Sequence, residues 1–258
     1  MSILQFELNK VLSRRFTLIL LIATCILFPS IIKVIAHLNV IKDNVPEGLF
    51  VNNISFAIIF YAQSYFFIPV WIIAIVGNEL TNGHVNRVTF IKSRDFYFSS
   101  KLLFTLSLSL LFAILGVLSL IFSVTTSPFK YLQVEFSYYL VFFIQLLFSC
   151  LYFSILLLCI TFILKSPIKV FITYFLMTFL EGIIFSIFES IYKIELKWLP
   201  FHLVKTIYLR NGDSKLSNYY NPFLEDFNSL VLQTIFVVAI TFITYKIFIK
   251  SNFATLSD

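Results

Sequence analysis

Six apolar runs, each close to the length that crosses a bilayer, constrain the fold of this chain more than any other feature. An α-helix rises about 1.5 Å per residue, so about 20 residues span the roughly 30 Å hydrocarbon core. Within lipid the backbone amides must find partners in their own segment, which favours helix for every run. We therefore predict an all-α polytopic membrane protein with six transmembrane helices. The predicted spans are residues 16–36, 54–76, 102–124, 138–164, 168–188 and 230–249.

The composition excludes an ordinary soluble domain. Hydrophobic residues make up 59% of the 258-residue chain and charged residues only 12%. A soluble domain of this length needs more polar surface to cover its core, whereas lipid can solvate the outer face of a membrane protein. The formal net charge of +6 is spread over the ends of the apolar runs rather than gathered in one patch. This distribution argues against nucleic acid as a partner and makes membrane lipids the expected surroundings.

Residues 3–15 carry apolar side chains on one helical stripe and polar or basic side chains mostly on the other. This pattern predicts an amphipathic helix lying in the membrane interface. The alternative is a cytoplasmic extension of the first span. Because the first apolar run reaches spanning length and no small-residue cleavage site follows it, we expect an uncleaved span rather than a signal peptide.

Prolines predict three local irregularities. Pro29 lies inside the first run and Pro69 inside the second, and since neither can donate a backbone hydrogen bond, a kink is expected at each. Between the fourth and fifth runs, Ser166 and Pro167 stand between two lysines, which indicates a tight turn rather than one bent helix.

The positions of Lys and Arg predict the orientation. With the N-terminus inside, eleven of these residues fall on the cytoplasmic side and eight on the outer side. Short loops rich in Lys and Arg stay in the cytoplasm, so both termini and the polar segment 77–101 are expected on the cytoplasmic side. The protein itself is expected in the cell inner membrane. The loop 190–228 is then outside. Its first half repeats apolar residues at helical spacing, which predicts a partly helical outer loop before the last span.

Motifs for catalysis or cofactor binding are missing from the sequence. The six glycines include no pair with the spacing of a phosphate-binding P-loop. His37, His84 and His202 are isolated from one another, and no H-E-x-x-H is present. We therefore predict no catalytic, cofactor-binding or metal-binding residues and no enzymatic activity in this chain.

Glu181 is the one acidic residue well inside a predicted span. An ionised carboxylate is costly in hydrocarbon, so it must be neutral, paired or facing a wet cavity. One interpretation is a pathway-lining or dimer-facing group. The other is a protonated glutamate bonded to a neighbouring hydroxyl such as Thr178.

The segment 77–101 carries a spacing that points to a family. Glu79 precedes Gly83 by four positions, and Arg94 precedes Lys101 by seven, at the start of the third run. Together with the six spans, the amphipathic start and the outer loop, this pattern resembles a type-2 ABC transporter permease over nearly the whole chain. His84 stands where that family usually has Thr.

The resemblance implies a mechanism and a set of partners. Two permeases, as copies or paralogues, would form a dimeric export pathway, each docked on a cytoplasmic ABC ATPase subunit that holds the ATP and magnesium. The segment 77–101 would supply the coupling contact with that ATPase. The alternatives are that its basic residues only keep the loop in the cytoplasm, or that the chain is a six-span scaffold or sensor without transport activity. The implied coupling residues are Glu79, Gly83, Arg87, Arg94 and Lys101.

Overall fold

Five helices account for most of the chain that the structure describes. The computed structural model describes residues 59, 62–81, 93–125, 136–194, 196, 199–202 and 227–250. Within these residues there is no β-strand, and all five helices are long and apolar enough to cross a membrane. The helical fold class is thereby confirmed for the described residues, and five of the six predicted spans correspond to helices of this kind. The first predicted span and the helix 3–15 lie outside the described residues. The helices are α1 (Ala62–Thr81), α2 (Arg94–Thr125), α3 (Phe136–Leu164), α4 (Pro167–Ile187) and α5 (Phe227–Lys250).

Helix α1 departs from regular α geometry on both sides of Pro69. Wide π turns occupy Ala62–Phe67 and Ile73–Gly77, with an α-helical turn between them at Ile68–Ile72. Pro69 has no amide proton for the carbonyl four residues earlier, so the backbone loses a bond there, and π turns are a common accompaniment of such interruptions. The helix then continues through Thr81, five residues beyond the predicted end of the span.

Helix α2 begins eight residues earlier than the apolar run that predicted it. The Ser93 hydroxyl accepts a hydrogen bond from the amide of Phe96 at 3.1 Å, and Asp95 lies in the first turn. A serine N-cap and an acidic residue near the helix start both stabilise a helix N-terminus. The residues from Arg94 to Lys101 therefore lie on the first turns of a helix.

The predicted turn between α3 and α4 is confirmed. Lys165 adopts a left-handed backbone with φ of 53°, and its amide donates to the carbonyl of Thr161 at 2.9 Å. Ser166 is extended, and Pro167 opens α4 at a position where its missing amide proton costs nothing.

Helices α4 and α5 turn most of their apolar surface outward. Only 22% of the spanning window is buried in each, against 67% in α3. Such surfaces suit lipid, which solvates apolar side chains as well as a protein interior does. Helix α4 is followed by a π turn at Phe188–Tyr192, and a short 3-10 turn at Pro200–His202 comes before α5.

The chain divides into two compact units. The first contains residues 1–68 and 107–151, and the second contains residues 69–106 and 152–258. The described part of the first unit is built from the start of α1, most of α2 and the first half of α3. The second unit contains the remainder of these helices together with α4 and α5.

Candidate functional site

A buried ion pair joins the end of α1 to the start of α2 in the second unit. The Lys101 ammonium lies 2.7 Å from Oε2 of Glu79, and both side chains are almost completely inaccessible to solvent. The Tyr97 hydroxyl donates to the same carboxylate oxygen at 3.2 Å. The ammonium also lies 5.4 Å from the ring centre of Tyr97 and 5.8 Å from that of Phe104.

The energetics of this ion pair indicate that it stabilises the contact between α1 and α2. Moving either charge alone out of water is expensive, and the loss is recovered only when both are paired and hydrogen-bonded with good geometry. The aromatic faces add a cation–π attraction to Lys101. Separating the two residues would leave a buried charge unpaired, so the pair holds the end of α1 against the start of α2.

A second set of bonds fastens the start of α2 to the end of α5. A guanidinium nitrogen of Arg94 donates to the carbonyl oxygen of Ile249, in the last turn of α5. The last carbonyls of a helix have no partner within the helix, so a cationic donor there satisfies one of them and the helix dipole favours its charge. Asp95 accepts a hydrogen bond of 2.6 Å from the hydroxyl of Tyr245.

Aromatic rings fill the space beneath these polar bonds. Tyr97 stacks on Phe248 with ring centres 5.9 Å apart, and Phe162 meets Phe248 edge-on at 4.7 Å. Phe98 lies 5.2 Å from Phe162 and 5.3 Å from Tyr245. These contacts involve α2, α3 and α5, so three helices are packed together at this level. We call the group the helix-end cluster: Glu79, Arg94, Asp95, Tyr97, Phe98, Lys101, Phe162, Tyr245 and Phe248.

A close backbone approach lies near the cluster in sequence. A Cβ atom at Gly77 would lie 3.0 Å from Cβ and 3.3 Å from Cα of Pro167, so α1 meets the first residue of α4 where only glycine fits without a shift. The sequence shows this glycine, but nothing in it shows what the glycine faces.

No protein-family model, curated protein or solved structure matches the chain.

The structure brings three of the five predicted coupling residues into the helix-end cluster. Glu79 and Lys101 bond to each other, and Arg94 lies seven residues before Lys101 on the same helix. Gly83 and Arg87 lie outside the described residues. Since Glu79 and Lys101 are buried, contact between either side chain and a second protein would require the cluster to open.

Sequence reasoning missed the aromatic and tyrosine members of the cluster. The spacing of Arg94, Tyr97 and Lys101, three and then four residues apart, lies on one face of a helix and could have indicated that they act together. No comparable signal exists for Tyr245 or Phe248, because each lies more than 140 residues along the chain from the residues of α2 that it contacts.

Glu181 holds a different kind of bond. Its Oε2 accepts a hydrogen bond of 2.7 Å from the backbone amide of Phe201, in the short turn Pro200–His202, and its side chain is buried. Thr178 instead donates its hydroxyl to the carbonyl of Tyr174 at 2.8 Å. Nearby, Gln233 of α5 donates to the carbonyl of Leu199 at 3.4 Å. The segment 199–202 is therefore bonded to α4 by a carboxylate and to α5 by an amide.

Among the described residues no group of three His, Cys, Asp or Glu side chains is arranged to hold a metal ion. Cys150 and Cys159 are both buried and reduced. The chemistry of the helix-end cluster is accordingly that of hydrogen bonding and charge pairing between helix ends.

Proposed function

We propose that this chain is the permease subunit of an ABC transporter and forms a dimeric export pathway with a second copy or a paralogue. A separate cytoplasmic ATPase would supply the energy, with ATP and magnesium bound on that partner. In this proposal the chain lies in the inner membrane of a bacterial cell with both termini in the cytoplasm.

The observation that carries the proposal is the ion pair between Glu79 and Lys101. These two residues stand on either side of the polar and basic stretch 82–92, so their pairing ties together the two helix ends from which that stretch extends. A push on the stretch would therefore pass directly to α1 and α2, and through Arg94 to the end of α5. Such a rigid linkage between a docking surface and membrane helices is what alternation between two packed arrangements needs.

The burial of Glu79 and Lys101 divides the predicted coupling residues into two groups with different proposed roles. We propose that Gly83 and Arg87 take part in the direct contact with the ATPase. Glu79, Arg94 and Lys101 act behind that contact as positioning residues that pass the movement to the helices. The rest of the segment 77–101 keeps its predicted cytoplasmic location through its Lys and Arg residues.

Glu181 has a proposed role on the opposite side of the membrane. It accepts a hydrogen bond from the amide of Phe201 and so holds the segment 199–202 against α4. We call residues 199–202 the outer segment, because they belong to the predicted outer loop. Breaking that bond together with the one from Gln233 to Leu199 would free the segment to move away from the helices, as opening of an export pathway on its outer side requires. We therefore retain Glu181 as a pathway residue that acts through the outer segment.

The decisive experiment combines the full chain in lipid nanodiscs with a P-loop ATPase encoded beside its gene, and measures binding and ATP hydrolysis. Charge reversal of Arg87→Glu is expected to leave membrane insertion intact and to abolish the stimulation of ATP hydrolysis by the chain. Lys92→Glu is the matched control, because it makes the same change of charge in the same stretch outside the proposed contact.

Two outcomes would contradict the proposal. One is normal stimulation of ATP hydrolysis by the Arg87→Glu chain. The other is a chain that binds no P-loop ATPase and purifies with a partner of another class, which would favour a membrane scaffold or sensor. Arg94→Glu is less informative alone, since it also removes the bond to the end of α5.

A further inference from the structure

The first unit buries polar side chains that have no hydrogen-bond partner in the part of the chain that the structure describes. Gln145 in α3 is 1% exposed, and among the described residues neither its Oε1 nor its Nε2 has a partner. The hydroxyl of Ser149, one turn further along the same face, is also buried without a partner there. Glutamine in a membrane span normally bonds across to a neighbouring helix, so an amide with both ends unused is unusual.

Three helices meet at this level of the first unit. Ser64 of α1 and the thiol of Cys150 in α3 lie 4.0 Å apart, within hydrogen-bonding range for sulfur. The Ser109 hydroxyl of α2 donates to the carbonyl of Cys150 at 3.2 Å. Gln63, next to Ser64, also buries an Oε1 atom that has no partner among the described residues. Gln63 and Ser149 are thus the sequence neighbours of Ser64 and Cys150, the two residues through which α1 and α3 meet.

The charge of this region restricts what could bind there. The described residues of the first unit contain no Asp, Glu, Lys, Arg or His. A buried ion requires an opposite charge or a full set of aligned donors, and the described residues of this unit offer no opposite charge. An amide and hydroxyls can both donate and accept, which suits a neutral group that also does both.

We propose that Gln63, Gln145 and Ser149 form an intramembrane site that binds a neutral hydrogen-bonding group. We call it the amide site. Its ligand is either water or the hydroxyl or amide of a molecule crossing the membrane, since these share the same bonding capacity. The inference concerns this chain alone and holds whether or not an ATPase drives it.

The test uses the full chain in nanodiscs and the infrared S–H stretch of a thiol introduced by Ser149→Cys. A difference spectrum against the native chain isolates the new thiol from the native ones. In D₂O the thiol is expected to exchange at least about tenfold faster than that of Leu157→Cys, which is equally buried on the same helix. Acetamide, acetate and methylammonium are then added separately as a neutral probe and its two charged counterparts.

If the introduced thiol exchanges its proton quickly and its S–H band does not respond to acetamide, the ligand is water. If acetamide shifts the S–H band in a saturable way, the ligand is an organic amide or hydroxyl. Equal exchange in the two variants, or a saturable shift with either charged probe, would overturn the proposal. If Ser149→Cys does not fold, Gln145→Met decides by thermal unfolding. If Gln145 binds a ligand, Gln145→Met lowers the melting temperature of the chain, whereas removal of an unused amide raises it. Gln233→Leu is the reference for a lowered melting temperature, because the Gln233 amide donates a hydrogen bond to Leu199.

Discussion

The buried polar groups of the two units differ in charge. The second unit buries a full ion pair, Glu79 with Lys101, and surrounds it with a tyrosine hydroxyl and aromatic rings. The first buries the neutral groups of Gln145 and Ser149 and gives them no partner among the described residues. A buried charge must be paired for the protein to fold, so the helix-end cluster is a fastening. A neutral amide costs less when left unbonded, and it can therefore be reserved for a ligand.

The two units therefore differ in what they are suited to do. The helix-end cluster links the ends of α1, α2 and α5 through an ion pair and hydrogen bonds, which suits it to passing on a movement. The proposed amide site has unused bonding capacity, which suits it to a molecule that binds and leaves.

The largest effect is expected from Lys101→Met, which keeps the shape of the side chain and removes its charge. The Glu79 carboxylate would remain buried without its counter-ion, a situation that typically costs about 3–5 kcal/mol. We expect a large drop in thermal stability of the chain in nanodiscs, or failure to obtain it as a monodisperse protein.

The double variant Glu79→Leu with Lys101→Met is the control for that experiment. Removing both charges leaves an apolar contact of similar volume, which is often as stable as the buried pair it replaces. The double variant should therefore recover most of the stability. If it is as unstable as Lys101→Met alone, the side chains matter for their shape rather than for their pairing.

A smaller loss is expected from Tyr97→Phe, which deletes the hydroxyl that donates to Glu79. A buried hydrogen bond to a charged group contributes about 1.5–3 kcal/mol, and the 3.2 Å distance favours the lower end. Tyr245→Phe is the matched variant, because its bond to Asp95 is shorter but exposed to solvent. It should change the melting temperature little. Equal losses in the two variants would show that burial does not set the strength of these bonds.

The smallest effects concern glycine packing. Gly77→Ala should destabilise, because its new methyl group meets the backbone and ring of Pro167, which cannot move aside. Overpacking of this kind costs about 1–3 kcal/mol, partly offset by the better helix propensity of alanine. Gly116→Ala in the first unit should cost less, since its main obstacle is the flexible end of the Leu146 side chain.

Gly182→Ala provides the reference for both glycine variants. Nothing lies within 4 Å of a Cβ at that position, so the change should be neutral or stabilising. Thermal unfolding of the three variants under the same conditions gives the order of their stabilities. A Gly116→Ala protein less stable than the Gly77→Ala protein would contradict the argument that a backbone obstacle costs more than the end of a flexible side chain.

The local features of this chain follow from its sequence alone. Apolar runs of spanning length predict membrane helices because lipid leaves the backbone no other way to satisfy its hydrogen bonds. The turn at Lys165 and Pro167 is equally local, since a proline at the first helical position needs no distant partner. The sequence also marks Glu79, Arg94 and Lys101 as unusual by their polarity near the ends of apolar runs.

The partners of those residues were decided only by the tertiary structure. Which helix ends meet is independent of any spacing within one helix, so the sequence could not show that Arg94 would bond the carbonyl of Ile249. For the same reason, one of the two interpretations of Glu181 bonded it to a neighbouring hydroxyl such as Thr178, whereas the structure gives it the amide of Phe201. Buried polar groups must be satisfied by whatever packing brings within about 3 Å, and only the assembled helices determine what that is.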